Sequence, residues 1–115
     1  MPRRYRVDIT RTAEHDIAAI YSHIARDNPS AAAAWLDSVE RSIASLEQWP
    51  RRCSIIPEAP ELEVEYRHLV NAPYRTIFRI VRSRVIIVRV IHGAQLLATL
   101  YVYPASAAYR APAPP

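Results

Sequence analysis

The chain has 115 residues, a formal net charge of +4 and a single cysteine, Cys53, and half of its residues are hydrophobic. This size and composition are typical of one globular domain, and no apolar run approaches the roughly 20 residues that a membrane-spanning helix needs. No apolar segment follows the basic N-terminus as in a secretion signal, and a lone cysteine cannot form an internal disulfide, so we expect a protein of the reducing cytoplasm.

The first half of the chain predicts one strand and two helices. Alternation in "RYRVDIT" predicts a half-buried strand with Tyr5, Val7 and Ile9 on one side. Thr10 or Thr12 is a suitable helix cap, and the helix that follows has an apolar stripe formed by Ala13, Ile17, Ile20, Tyr21 and Ile24. A second helix begins at the Asn28–Pro29 pair, ends at Pro50, and presents one apolar face made of Ala32, Trp35, Leu36, Val39, Ile43 and Leu46.

The second half predicts three strands, at about residues 63–70, 74–82 and 84–92. We expect the proline-rich loop before them to run over the surface, and the short connections between them to form antiparallel hairpins. In the last strand, alternation predicts one face made of Val85, Ile87 and Ile91 and another made of Ile86, Val88 and Val90. A strand that is apolar on both sides is central and covered on both faces.

The element order β-α-α-β-β-β predicts an α+β fold. An antiparallel helical hairpin is expected to pack on one face of a four-stranded, mostly antiparallel sheet. We expect residues 1–103 to form the domain, in which residues 94–103 are either a short helix or an edge strand. Residues 104–115 are rich in alanine and proline, which predicts a disordered tail.

The charge is distributed unevenly along the chain. Residues 1–65 contain eight arginines and all eleven acidic residues, whereas residues 66–115 contain seven arginines and no acidic residue. The helical hairpin covers one face of the sheet, and residues 94–103 are few to cover the other. An apolar groove bordered by arginines suits an acidic amphipathic helix of a partner. A homodimer interface, or arginines that extend into solvent, would explain the same pattern.

Several segments together resemble toxins of the RelE/ParE superfamily. They are "TRTAEHDIAAIYSHI" from Thr10, the Asn28–Pro29 break, the helix end near Trp49–Pro50, "YRHLVNAPYRTIFRI" and "VIIVRVIHG". The resemblance covers about residues 4–96. It implies a toxin of a bacterial type II toxin–antitoxin pair, in a higher-order complex with an antitoxin whose acidic C-terminal segment wraps the sheet face.

The superfamily has two functional branches. The RelE-like branch cleaves messenger RNA on the ribosome. If this chain resembles that branch in function, the resemblance implies Arg75, Tyr101 and His92 as the catalytic residues. The basic residues of that branch are replaced around Tyr66, His68 and Gln95, and the His92–Gly93 ending resembles the ParE-like branch, which inhibits DNA gyrase without catalysis of its own. We therefore favour a gyrase inhibitor over an endoribonuclease. A degenerate member that binds its antitoxin alone is a third possibility.

In the favoured reading, seven residues bind the antitoxin or the target: Arg67, Arg75, Arg79, Arg82, Arg84, Arg89 and His92. His92 ends a predicted strand, and a histidine in that position more often has a structural role than a functional one. Because the sequence has no metal-ligand spacing and contains one glycine, we expect neither a metal site nor a phosphate-binding glycine loop, and no cofactor.

Overall fold

The computed structural model describes residues 4–57 and 64–93. Its elements are β1 (Arg6–Ile9), α1 (Arg11–Asp27), α2 (Pro29–Ser45), a 3-10 turn (Pro50–Arg52), β2 (Arg67–Asn71), β3 (Tyr74–Val81) and β4 (Arg84–His92). The four strands form one sheet in the order β1-β4-β3-β2, in which β1 is parallel to β4 and the other pairs are antiparallel. The predicted α+β fold is confirmed. The segment 94–103 and the tail 104–115 lie outside the described residues.

Short polar side chains begin both helices. The Thr10 hydroxyl accepts a hydrogen bond from the Ala13 amide at 3.1 Å, and the Asn28 side chain accepts one from the Ala31 amide at 3.0 Å. Each satisfies an amide that has no partner within its helix. Pro29 occupies the first turn of α2, where its missing donor costs nothing. No helix in the described ranges is long and apolar enough to cross a membrane.

The helix α2 ends one turn earlier than the sequence predicts. It stops at Ser45, and Arg52 then donates to the carbonyl oxygens of Gln48 at 2.7 Å and Trp49 at 3.0 Å. A cation at this point satisfies carbonyl groups and complements the negative end of the helix dipole. Trp49 has a φ of 55° and its side chain is 79% exposed.

The core between the helices and the sheet follows the predicted stripes. Val39, Ile43 and Leu46 are buried against Phe78 and other sheet residues, and Cys53 joins this cluster. The remaining stripe residues of both helices are half-buried, apart from the buried Ala13 and Ala32; they are Ile17, Ile20, Tyr21, Ile24, Trp35 and Leu36. Both helices therefore contribute to this core, α1 with the buried Ala13 and α2 with the buried Val39 and Ile43.

The second face of the sheet is covered, and part of its cover comes from the loop that we expected on the surface. Ile56 is 1% exposed and Tyr66 is fully buried, and both pack in one cluster on this face with Ile77, Ile86, Val88 and Ile91. The prediction of a surface loop is wrong for Cys53 and Ile56, which are buried. Apolar residues in a proline-rich connection can enter a core when the backbone beside them is paired, and here the Ile56 amide donates to the Tyr66 carbonyl.

An irregularity in β4 changes the faces that alternation predicts. Phe78 lies opposite Ile87 and Ile77 lies opposite Arg89, so Val88 is an extra residue in β4. Ile91 consequently packs on the second face with Ile86 and Val88, whereas Val90 lies opposite Thr76 on the helix side. The predicted assignment of Ile91 and Val90 is wrong, because strict alternation assumes an uninterrupted ladder.

Candidate functional site

Three arginines of the predicted binding set are paired with acidic residues. Arg84 binds Asp8 at 2.8 Å, and Arg67 binds Glu65 at 2.9 Å. Arg67 also donates to the Cys53 carbonyl at 2.7 Å, which ties β2 to the loop before it. These carboxylates precede residue 66, so the charge difference between the two halves of the sequence is partly compensated in the fold.

The third pair, Arg89–Asp16, joins β4 to α1. The Asp16 carboxylate accepts from Arg89 Nε at 2.6 Å, from Arg89 Nη2 at 2.9 Å and from the Val90 amide at 2.9 Å. β1 ends at Ile9, and Thr10 continues the contact by donating from its amide to Ile87 and from its hydroxyl to Val88. Asp16 thus supplies an acceptor to β4 beyond the end of β1. The Arg89 guanidinium is thus paired with a carboxylate of the same chain.

The remaining three arginines lie on or near the second face. Arg75 is 4% exposed and lies opposite Ile91, and the half-buried Arg79 lies opposite Ile86, so both are on the side of the second-face cluster. Arg82 is exposed in the two-residue turn between β3 and β4, with a φ of 57°. The accessible part of the candidate binding surface therefore lies around Arg79 and Arg82, whereas Arg75 is buried.

A small cavity lies at one end of this surface, beside the turn between β2 and β3. Its volume is about 230 Å³, and His68, Val70, Arg75 and Gly93 contribute to its lining. Arg75 Nη1 lies 3.2 Å from His68 Nδ1, and that nitrogen must be an acceptor because every guanidinium nitrogen there is a donor. The Gly93 amide donates to the Pro73 carbonyl, and a Cβ at Gly93 would lie 3.2 Å from that oxygen. Glycine permits this close approach.

The structure does not bring Arg75 and His92 together. They lie on neighbouring strands, but Arg75 is opposite Ile91 and His92 is opposite Tyr74, so the two side chains belong to opposite faces of the sheet. The His92 ring contacts Tyr74 edge-on at 5.7 Å, and Tyr74 in turn contacts Trp35 of α2 at 5.6 Å. Tyr101, the third residue of the ribonuclease reading, lies outside the described residues.

Cys53 is a free thiol buried in the core between the helices and the sheet. Burial raises the pKa of its thiol, and the nearby guanidinium groups of Arg52 and Arg67 oppose that rise by favouring the thiolate. A buried thiol with a raised pKa is a poor nucleophile. Within residues 4–57 and 64–93, no group of three or more histidine, cysteine or acidic side chains is placed to hold a metal ion.

Comparison with known proteins identifies the family. The family model described as the ParE toxin of the type II toxin–antitoxin system, parDE, matches residues 7–97. The chain belongs to the ParE toxin family. Comparison with curated protein sequences gives no match.

Two solved structures have the same fold as this ParE-family toxin. A chain of the chromosomal ParDE toxin–antitoxin system from P. aeruginosa has a TM-score of 0.66 and 22% identity, with 78% of this chain and 97% of that chain covered. A chain of the RelBE2 toxin–antitoxin complex from Mycobacterium tuberculosis has a TM-score of 0.54 and 26% identity, with 80% of this chain and 94% of that chain covered.

Sequence reasoning missed the acidic partners of the ParE-family toxin's arginines. Asp8 lies in a strand and Asp16 in a helix, and both are far from Arg84 and Arg89 along the chain. A weak signal was present, because Asp16 lies three residues after Ala13 and four before Ile20, so a carboxylate interrupts the apolar stripe of α1. Strand order had to be known before either pairing could be inferred.

Proposed function

We propose that this ParE-family toxin inhibits DNA gyrase in the cytoplasm and is neutralised by a protein antitoxin. The observation that carries the proposal is the match of residues 7–97 to the ParE toxin family. It is supported by the separation of Arg75 and His92 on opposite faces, because RNA cleavage needs its acid, base and phosphate-binding cations around one phosphate.

The antitoxin is proposed to bind through an acidic amphipathic segment. Arg79 is half-buried on the second face of the sheet, and Arg82 is exposed in the turn after β3. The exposed Val70 lies opposite the buried Arg75 and offers an apolar contact on the same face. The isoleucines of the second-face cluster are buried, so this face does not present the exposed apolar groove that we expected from the sequence. Charge attraction at the rim would guide association, and Val70 would contribute burial. Both of the similar solved structures come from toxin–antitoxin systems, which agrees with such a partner.

Gyrase inhibition is tested with the purified full-length toxin. Supercoiling of relaxed plasmid by gyrase should decline as toxin is added, with linear DNA appearing after detergent and protease treatment. Toxin mixed beforehand with its antitoxin, encoded by the neighbouring reading frame, should have no effect. Normal supercoiling at a large molar excess of folded toxin would exclude this target.

The ribonuclease alternative is tested in bacterial cells that express the toxin without its antitoxin. Primer extension after toxin induction should show intact messages if gyrase is the target. Cleavage in the ribosomal A site that is lost on Arg75→Ala or Tyr101→Phe would instead favour the RelE-like activity. Normal growth of cells that express the toxin without antitoxin, with neither gyrase inhibition nor message cleavage, would indicate a degenerate member that only binds its antitoxin.

A further inference from the structure

A second surface, distinct from the arginines of the second face, lies on the helix side of β1. It is a cleft of about 520 Å³ whose apolar lining includes Val7, Ile9, Ile17 and Ile43. Ile9 is 40% exposed, although alternation places it on the buried side of β1 together with Val7. The cleft therefore leaves apolar surface accessible beside a strand.

The strand beside the cleft is at the edge of the sheet. In the described part of the chain, β1 pairs with β4 along one side, and its other side is contacted at its start, where the Tyr5 amide donates to the Glu47 carbonyl at 2.7 Å. The residues that follow, Arg6–Ile9, border the cleft. An edge strand presents amide and carbonyl groups to which an extended peptide can add as a further strand.

The polar rim of the cleft is acidic. Glu14, Glu40 and Glu47 line it, and together they come from α1, α2 and the turn after α2. Glu47 binds Arg4 at 2.8 Å, whereas Glu14 and Glu40 form no ion pair with any described residue. The rim is thus opposite in charge to the arginine-rich surface on the other side of the sheet.

The charge distinguishes between possible occupants. A second copy of this chain placed symmetrically on its own cleft would bring two sets of glutamates together, which like-charge repulsion disfavours. A basic segment would instead pair with Glu14 and Glu40 while an apolar side chain contacts Ile9. Because side chains of a strand alternate, every second residue of an added strand would face the cleft.

We propose that the outer edge of β1 and the acidic cleft bind an extended segment of a protein partner in which an apolar residue is flanked, two positions away on each side, by arginine or lysine. The pattern is Arg-x-Ile-x-Arg, with all three named side chains on the cleft side. This surface shares no residue with the arginine surface proposed above for the antitoxin.

The test uses a fluorescein-labelled peptide, Ser-Arg-Thr-Ile-Thr-Arg-Ser, titrated with the full-length toxin and followed by fluorescence anisotropy. A peptide of the same composition, Ser-Thr-Arg-Ile-Arg-Thr-Ser, places both arginines on the face away from Ile and should bind at least several-fold more weakly. Affinity for the first peptide should fall as salt is raised, because rim charges are screened.

Protein variants locate the site. Glu14→Gln combined with Glu40→Gln should weaken binding about tenfold, the effect of losing two partly exposed charge contacts. Ile9→Thr removes apolar contact while keeping a β-branched strand residue, and it should weaken binding as well. Asp27→Asn removes one negative charge at the exposed end of α1, away from the cleft, and should change affinity less than twofold.

Three results would overturn the proposal. They are no binding at about 1 mM peptide, equal binding of the two peptides, and equal loss of affinity in the cleft variants and in Asp27→Asn. Thermal melts of each variant confirm that it is folded before its affinity is interpreted.

Discussion

Replacing Asp16 with alanine removes a carboxylate that three donors share. Two of them belong to the Arg89 guanidinium and the third is the Val90 amide. The Asp16 and Arg89 side chains are 14% and 16% exposed, so water replaces the lost acceptor poorly. The variant leaves a largely buried cation without its counter-charge.

The expected cost follows from that burial. Breaking a buried ion pair by removing one partner costs about 3–5 kcal/mol, and a buried amide left without an acceptor costs about 1–3 kcal/mol. The two costs arise from one carboxylate and overlap, so we expect Asp16→Ala to lower the free energy of unfolding by about 3–5 kcal/mol. That is a large part of the roughly 5–15 kcal/mol that stabilises a domain.

Urea unfolding followed by circular dichroism measures this cost. The matched control is Asp37→Ala, which breaks the pair with Arg41 one turn along α2, where the side chains are 61% and 79% exposed. Exposed helical pairs contribute about 0.3–0.5 kcal/mol. Adding Arg89→Met to Asp16→Ala should recover part of the loss, because the uncompensated cation is then gone. Costs of Asp16→Ala and Asp37→Ala that agree within about 0.5 kcal/mol would refute the reasoning.

Three further variants test the core, the thiol and a turn. Ile43→Ala should cost about 2–5 kcal/mol in urea unfolding because Ile43 is 5% exposed, whereas Ile55→Ala, at a residue 46% exposed, should cost under about 1 kcal/mol; similar costs would contradict the assigned core. Since burial raises the pKa of Cys53, its contribution to stability is present below the ordinary thiol pKa and is lost as pH rises through the folded value. The melting temperature of the wild type should therefore fall more than that of Cys53→Ala between pH 8 and pH 10, and the reverse order would disprove this. Arg82→Gly should raise stability by about 1 kcal/mol by removing a left-handed backbone cost, whereas Ser83→Gly, at a residue without positive φ, should lower it.

Most of the fold was predictable because helix periodicity and capping are local signals. The stripe containing Val39, Ile43 and Leu46 predicted the face that α2 buries, and Asn28–Pro29 predicted the boundary between the helices. The errors arose where tertiary contacts decide the outcome. Ile56 enters the core through pairing with Tyr66, which proline-rich composition does not reveal.

The candidate site was less predictable, since charge along the chain does not report charge in space. The absence of acidic residues after Glu65 suggested a set of available arginines, but β1 and α1 bring Asp8 and Asp16 beside Arg84 and Arg89. The role of Arg75, Arg79 and Arg82 in binding a partner stays a prediction. The acidic cleft could not be predicted from the sequence either, because its glutamates come from separate elements that are brought together by the folded helical hairpin.

The extra residue at Val88 resets the phase of β4. Before it, odd-numbered side chains such as Val85 and Ile87 face the helices, and after it the even-numbered Val90 and His92 do so. Removing one residue there would turn the far end of the strand through half a revolution, withdrawing His92 from its aromatic stack and directing Ile91 toward α1. The residues before and after Val88 thus follow separate patterns of inward- and outward-facing side chains. Either half of β4 could change in sequence without altering which side chains of the other half face the helices.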